Sequence, residues 1–331
     1  MDRSINESRV VLRVIPYDEV KTKIDHSDSI TILSNVNPDA DALGTALGIY
    51  ALLKQNKNKK VEVVNASTIL PQYLDFLPNF KKMKHKIEYT NSLIITCDCG
   101  SIDRLGFELK DRDIINIDHH QSNTDYGSIN IVIPEHASSS QVAFKVFEKL
   151  YTVHADAAAC FYTALLSDTR HFTTSSVNEE VFTVAQALVR AGAVPNDIAF
   201  HFTQRRPLSS LRILEKALAS LSLYDNARIA TLMVSKEQIH AMGATVPDME
   251  GIVDYAHSLV TVEIAIFAME LEEGIRISLR STTADVSAVA MAFGGGGHKV
   301  AAGFTLKQSG LQQSMDTILS KIKELGLTNE K

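Results

Sequence analysis

What this 331-residue chain lacks narrows what it can be. No apolar run approaches the roughly 20 residues that a membrane-crossing helix needs. Met1–Arg13 mixes charges early and has no apolar signal-peptide core, so the chain is expected in the cytoplasm. Cysteine is scarce: Cys97, Cys99 and Cys160 cannot all pair, and the first two flank Asp98 instead of forming a CxxC metal pair. Reduced, buried thiols are expected. Positive charge is short as well, with 33 Lys and Arg against 39 Asp and Glu and a formal net charge of −6. That balance argues against the long basic stripe that grips duplex nucleic acid. A phosphate-bearing ligand would be small, or held in a local basic pocket. Internal repeats and low-complexity tracts are absent too.

What is present is an ordinary globular composition, 45% apolar and 22% charged, in a chain long enough for two domains with separate cores. In the first half, short apolar runs alternate with helical patterns. Ser29–Leu33, Val61–Asn65, Ser92–Cys97 and Asp113–Ile117 read as strands and Asp41–Leu53 as a helix, an alternation that predicts an α/β fold with a helix-covered parallel sheet. Helical spacing follows in Gln141–Tyr151, Asp156–Ser167 and Glu179–Arg190. Gly192, Pro195 and Pro207 mark residues 191–208 as a linker, with room for a short helix over Asn196–Phe202. The expected domains are therefore 1–190 and 209–331. The second reads as a smaller mixed-sheet α/β domain: a helix (Ser210–Leu221), strands Ile229–Val234, Val262–Glu270 and Ile275–Ser281, a helix (Ala284–Phe293), and a charged tail Lys321–Lys331 ending as a solvated helix.

Chemistry-bearing residues stand where strands end, the edge at which open α/β sheets bind ligands. After the first strand comes Asn35-Val36-Asn37-Pro38-Asp39-Ala40-Asp41-Ala42-Leu43-Gly44. Asp39 and Asp41 either converge on cations or cap the helix that follows. Asp98 follows the apolar run Leu93–Cys97 and, alone, reads equally as a turn residue. Asp118-His119-His120 follows the next strand; imidazole is a frequent metal ligand, and a neighbouring carboxylate can fix its tautomer. Asp168 ends a helix, where the macrodipole disfavours a carboxylate unless a cation compensates. Such a set of carboxylates and imidazoles suits two divalent ions about 3.5–4 Å apart, arranged for phosphoryl displacement. The mixed oxygen and nitrogen donors favour manganese, then magnesium, over zinc.

Downstream, Gly294-Gly295-Gly296-Gly297-His298-Lys299 is either a flexible loop or a cradle whose backbone N–H groups approach a phosphate. Arg280, beside Ser281 at a strand end, is either a surface residue or a bidentate phosphate ligand.

The ordered set Asn37-Pro38-Asp39-x-Asp41-Ala42-x-Gly44, Asp98, Asp118-His119-His120, Asp168 and Gly294–His298 with Ala301-Ala302-Gly303 resembles the DHH phosphoesterases that carry a DHH-associated C-terminal domain. The resemblance covers nearly the whole chain. Length and layout look most like the nanoRNases, which also hydrolyse 3′-phosphoadenosine 5′-phosphate; RecJ-type exonucleases share the motifs but carry additional domains. The resemblance implies that Asp39 and Asp98 hold a first manganese, and that Asp41, Asp98, His119 and Asp168 hold a second, with Asp98 bridging. It further implies that Asp118 orients His119 and that His120 touches the scissile phosphate. Arg280, Ser281, Gly295, Gly296, Gly297 and His298 would bind substrate from the C-terminal domain. The implied substrates are very short RNAs, linear dinucleotides such as pGpG, or nucleotide bisphosphates. A homodimer is compatible with these features, and no membrane partner is expected.

One departure stands out. The family usually has His two residues before Asn-Pro-Asp, and this chain has Asn35 there. A neutral amide oxygen is a weaker manganese ligand than imidazole, so affinity or rate should fall. Two further readings stand beside this one: from Asn35, a nucleotide-binding protein with weakened catalysis, and from the four shared N-terminal motifs, an inorganic pyrophosphatase. The glycine run with His298 speaks against the latter.

Overall fold

A computed structural model describes residues 15–56, 59–307 and 310–328. Met1–Arg13 and the last three residues of the charged tail lie outside the described residues. The chain divides into two compact units. The first holds the described residues up to Ser67 together with Leu77–His119 and Asn123–Val194; the second holds Thr68–Phe76, His120–Ser122 and the chain from Pro195 onward.

In the first unit, the order is α1 (Tyr17–His26), β1 (Ser29–Ser34), α2 (Ala40–Asn56), β2 (Lys60–Val64), β3 (Leu93–Cys97), β4 (Ile114–Asp118), β5 (Ile129–Val132), α3 (Ser139–Phe147), α4 (Ala155–Asp168) and α5 (Glu179–Arg190). The five strands pair in parallel in the order β2-β1-β3-β4-β5. Parallel strands are covered on both faces and so read as continuous apolar runs, and β3 and β4 are buried along their whole length. All five end on one edge of the sheet. The order reverses between β1 and β3, which opens a crevice beyond their carboxyl ends.

Helices α2 and α4 meet along a seam that admits no side chain at two positions. A Cβ on Gly44 would stand 2.7 Å from the Cys160 carbonyl oxygen and 2.8 Å from the Ala164 Cβ, and one on Gly48 would stand 2.5 Å from the Phe161 ring. The seam fixes the spacing between the start of α2 and the end of α4, where Asp41 and Asp168 lie.

The second unit runs α6 (Pro195–Gln204), α7 (Leu208–Ala219), β6 (Ser222–Tyr224), β7 (Ile229–Val234), α8 (Lys236–Ala241), α9 (Ile252–His257), β8 (Ile264–Leu271), β9 (Gly274–Ser281), α10 (Val286–Ala292), β10 (Gly296–His298), β11 (Ala301–Leu306) and α11 (Leu311–Glu324). Its sheet order is β10-β11-β9-β8-β7-β6, with β7 and β8 parallel and the other pairs antiparallel. Alternate residues of β9 send Ile275, Ile277 and Leu279 into a core shared with Val286, Val289, Met315 and Ile318. The opposite face packs Ala230, Leu232, Ala265 and Phe267 with Ile213, Ile252 and Val253.

The short helix for which the sequence left room over Asn196–Phe202 is present and longer, the ten-residue α6, which starts on Pro195, a residue suited to a first helical turn. Two other expectations change. The glycine run is in part a strand: Gly296↔Gly303, Gly297↔Ala302 and His298↔Ala301 form a hairpin turned at Lys299-Val300. The first four residues of the charged tail, Lys321–Glu324, close the longer helix α11, which buries Met315, Ile318 and Ile322.

Candidate metal centre

Each predicted ligand of the first unit stands at the carboxyl edge of the parallel sheet. Chain leaving β1 passes Asn35, takes a left-handed turn at Asn37 (φ 55°) and enters α2. Asp39 and Asp41 then part ways. An Asp39 oxygen accepts from the Ala42 N–H at 3.0 Å and caps the helix, so the capping alternative holds for that oxygen. Asp41, the second residue of α2, is buried, with its oxygens accepting from the backbone N–H groups of Ser139 (2.7 Å) and Ser140 (3.1 Å) and from the Thr45 hydroxyl (3.1 Å). The first turn of α3 therefore holds this carboxylate in place.

Asp98 follows β3 in the left-handed region, with φ 54°, a strained conformation for a residue with a side chain. It is buried, and one oxygen accepts from the Ser139 hydroxyl at 2.9 Å. Asp118 closes β4. Its Oδ1 accepts the His119 backbone N–H at 2.8 Å and the Ser139 hydroxyl at 3.3 Å, and its Oδ2 accepts from Asn123 at 2.5 Å. The His119 ring is set by another group: Nδ1 stands 3.2 Å from the His136 carbonyl oxygen. Donation from Nδ1 to that carbonyl leaves the Nε2 lone pair facing the carboxylates. Asp118 meets His119 at its backbone N–H.

From Nε2, an oxygen of Asp168 lies at 3.2 Å, of Asp98 at 3.8 Å and of Asp41 at 3.9 Å. One ligand atom each from Asp41, Asp98 and His119 falls within 4.8 Å of the other two. With ion–ligand bonds of about 2.1 Å, neighbouring ligands of an octahedral ion lie about 3.0 Å apart and opposite ones about 4.2 Å apart. The three distances from Nε2 fall inside that range.

Electrostatics point the same way. Burial pushes the Asp41 carboxyl well above its ordinary value, and Asp168 and Asp98 push it further. Burial by itself would lower the His119 imidazole, but Asp168, Asp41 and Asp98 around it raise it well above its ordinary value. Without a cation this cluster retains protons; a divalent cation would displace them and neutralise the crowded carboxylates. Asn35 adds a second sign. It is only 8% exposed, and its side-chain oxygen is buried without a hydrogen-bond partner, which suits an amide oxygen waiting for a cation. The donor set fits a divalent metal.

Ser139, Ser140, His136 and Asn123 complete the arrangement, and sequence reasoning missed all four. The run Ser138-Ser139-Ser140 ahead of an apolar helix is a helix-start signal, and the Ser138 hydroxyl does accept from the Gln141 N–H at 3.1 Å. Nothing in that signal says that the helix start faces Asp41.

In the second unit, Arg280 lies on β9 opposite Ala265 and Ala301, and its Nε stands 3.2 Å from Asp254 of α9. Ser281 is buried, and its hydroxyl accepts from the Thr283 N–H at 3.2 Å. Two of the predicted glycines have packing reasons to be glycine. A Cβ on Gly295 would meet the Gly303 carbonyl oxygen at 2.3 Å, and one on Gly297 (φ 141°) would meet that of Ala301 at 2.5 Å. A Cβ on Gly296 would stand in open space. His298 is half-buried at the end of β10, and His120 is half-buried directly after His119.

Comparison with known proteins bears on this geometry. Residues 29–165 match the DHH family N-terminal domain, and residues 229–325 match the DHHA1 domain. The chain is 28% identical to a bifunctional oligoribonuclease and PAP phosphatase NrnA of Thermus thermophilus, over 89% of each chain. It is 22% identical to the protein of the same description in Bacillus subtilis, over 84% of this chain and 90% of that one. Among solved structures, an exopolyphosphatase-related protein from Bacteroides fragilis superposes with a TM-score of 0.83 at 28% identity, covering 93% of this chain and 96% of that one.

Proposed function

This chain belongs to the DHH family, with a DHHA1 domain behind its DHH domain, and on that footing we propose that it is a manganese-dependent nanoRNase. It is a metal-dependent hydrolytic enzyme, and among the described residues no helix is long and apolar enough to cross a membrane. The substrates in this proposal are very short RNAs and linear dinucleotides such as pGpG, cut to mononucleotides, with 3′-phosphoadenosine 5′-phosphate as a second substrate. The convergence of Asp41, Asp98, His119 and Asp168 at the sheet edge carries the reading. The names of the relatives support the substrate class.

In this reading Asp41, Asp98, His119 and Asp168 hold one ion, and Asp39, Asp98 and Asn35 hold another. Bound there, divalent ions supply an activated water and neutralise charge on the phosphoryl group. The protein's own groups do the rest. Ser139 holds Asp98 and Asp118 by one hydroxyl, the first turn of α3 fixes Asp41, and the His136 carbonyl keeps the His119 lone pair turned inward. His120 is the group offered to the scissile phosphate. Gly296, with open space where a Cβ would be, is the position in the β10 region best suited to let backbone approach an anion, with His298 and Arg280 as further substrate contacts.

Asn35 favours a second reading, a nucleotide-binding protein with weakened catalysis, because an amide stands where the family has an imidazole. Hydrolysis of a 5′-phosphorylated dinucleotide and of phosphoadenosine phosphate with manganese, by this chain and by Asn35→His, separates the two. The enzyme reading expects turnover by both, faster in Asn35→His. Inert proteins at every manganese concentration would overturn it.

A further inference from the structure

Strand β4 is buried along its length, yet its apolar run is broken in the middle by Asn116, 0% exposed between Ile115 and Ile117. A primary amide is costly to bury there unless its donors and its acceptor are met. Side chains alternate across a strand, so Asn116 shares a face of the sheet with Asp118, two residues on. Thr96 of β3 and Asn130 of β5 stand directly opposite it, and the three side chains make one polar rung across three strands. The Thr96 hydroxyl donates to Asn116 Oδ1 at 3.3 Å, and Asn116 Nδ2 donates to Asn130 Oδ1 at 3.1 Å. The second N–H of Asn116 goes to Asn123 Oδ1 at 2.9 Å, in the loop after β4.

Backbone groups decide which way round these amides stand. Asn130 Nδ2 donates to the carbonyl oxygens of Asp125 (3.1 Å) and Gly127 (2.8 Å), and its Oδ1 accepts from the Gly127 N–H (2.9 Å), so Asn130 turns its oxygen towards Asn116. Asn123 Oδ1 accepts the Asp125 N–H at 2.8 Å, which points its Nδ2 the other way. There Nδ2 donates to the Cys99 carbonyl oxygen at 3.1 Å and to Asp118 Oδ2 at 2.5 Å, and both of its donors are used. Those two acceptors belong to different strand ends. Cys99 directly follows Asp98, and Asp118 directly precedes His119. The same loop is tied to the chain leaving β3 by the Tyr126 hydroxyl, 3.0 Å from the Cys99 carbonyl oxygen, and by the Thr124 N–H, which donates to Gly100 at 2.9 Å. One amide therefore spans the exits of β3 and β4, where two residues of the acidic centre stand, and the buried rung ties that amide to the sheet.

We infer that Asn123 is a positioning residue for the metal centre: it sets the spacing between Asp98 and His119, and Asn116 acts through it. The inference rests on the manganese-dependent reading of the centre and adds to it two residues outside the ligand set. Asp98 needs such a hold, because its left-handed φ of 54° is strained and persists only where the surroundings enforce it. Metal–ligand distances tolerate only about 0.2 Å, so strand ends released to drift further lose the ion before the fold is lost.

A matched control lies in the same network. Asn123→Ala removes four hydrogen bonds, two of them to Asp118 and Cys99. Asn130→Ala also removes four, and none of them reaches a residue of the centre or its neighbour in the chain. The test is calorimetric titration of manganese into the full chain and each variant, with urea unfolding of the chelator-treated proteins beside it. Both variants should unfold at lower urea than the parent, by similar amounts. Asn123→Ala should bind manganese at least about tenfold more weakly, the loss usual when a group that holds a metal ligand is removed, and Asn130→Ala should keep the parent affinity. Asn116→Leu, which keeps the branching of the side chain and removes the donor to Asn123, should also weaken manganese binding, and it carries the test if Asn123→Ala does not fold. Parent-like affinity in Asn123→Ala, or an equal loss in Asn130→Ala, would overturn the assignment. A parent that binds no manganese overturns it together with the metal reading. Hydrolysis of a 5′-phosphorylated dinucleotide by the unaltered chain, measured in parallel, reports on the nanoRNase reading separately.

Discussion

Replacing Gly44 by Ala tests whether the acidic centre is set by helix packing as well as by its own side chains. Gly44 touches none of the ligands, but the added Cβ would stand 2.7 Å from the Cys160 carbonyl oxygen and 2.8 Å from the Ala164 Cβ. Both are on α4, one being backbone and the other a Cβ fixed to it, so neither can swing away. To reach ordinary contact near 3.4 Å the two helices must separate by more than half an ångström. Ala in place of a mid-helix Gly contributes about 1 kcal/mol of helix propensity. Overpacking of a close seam costs about 1–3 kcal/mol. The net expectation is a loss of up to about 2 kcal/mol, or a melting temperature lower by a few degrees at roughly 2–4 °C per kcal/mol for a chain of this size. The larger effect falls on the metal. Asp41 begins α2 and Asp168 ends α4, and metal–ligand distances tolerate only about 0.2 Å, so manganese affinity should drop at least about tenfold. Calorimetric titration of manganese into Gly44→Ala and parent measures this directly. Unchanged affinity with an unchanged melting temperature would refute the claim that the seam sets the centre.

Removing the Ser139 hydroxyl (Ser139→Ala) takes a donor from Asp98 at 2.9 Å and from Asp118 at 3.3 Å, both buried, and should cost about 1–3 kcal/mol in urea unfolding of the metal-free protein. The folded-state values of Asp41 and His119 are both raised, so each contributes stability that is present at low pH and lost as pH rises through the raised value. Chelator-treated protein should therefore melt at lower temperature as pH climbs above the ordinary imidazole value of about 6.5, and added manganese should stabilise it more at the higher pH. A flat melting profile in chelator would contradict this. Cys97, Cys99 and Cys160 are buried, and burial pushes their thiols up, Cys99 to about 11. None should react with a thiolate-selective disulfide reagent at pH 8 until urea is added.

Legibility differed between the two units for physical reasons. Long apolar runs that stop at Asp or His are what a covered parallel sheet requires, so β1, β3 and β4 and the acids after them could be read from the chain. The four-residue β5, Ile129–Val132, is too short to show a period, and it was missed. Asp39 and Asp41 look equivalent in sequence; only the fold makes one a helix cap and buries the other. The glycine run could be read as a flexible loop because sequence does not show that Gly295 and Gly297 pack against the backbone of β11. Likewise the charges of Lys321 and Lys323 drew attention from Met315, Ile318 and Ile322, whose spacing marks α11 as a packed helix.

The residues of the acidic centre come from α2, the positions just after β3 and β4, and the last residue of α4, so no local stretch of chain contains the site. A chain still being synthesised holds Asp41, Asp98 and His119 well before Asp168 emerges and α4 can close its seam with α2. This division leaves the unfinished chain without Asp168, the fourth member of the acidic centre, until the first unit has almost all been made, so on the proposed nuclease function the centre is completed late in synthesis.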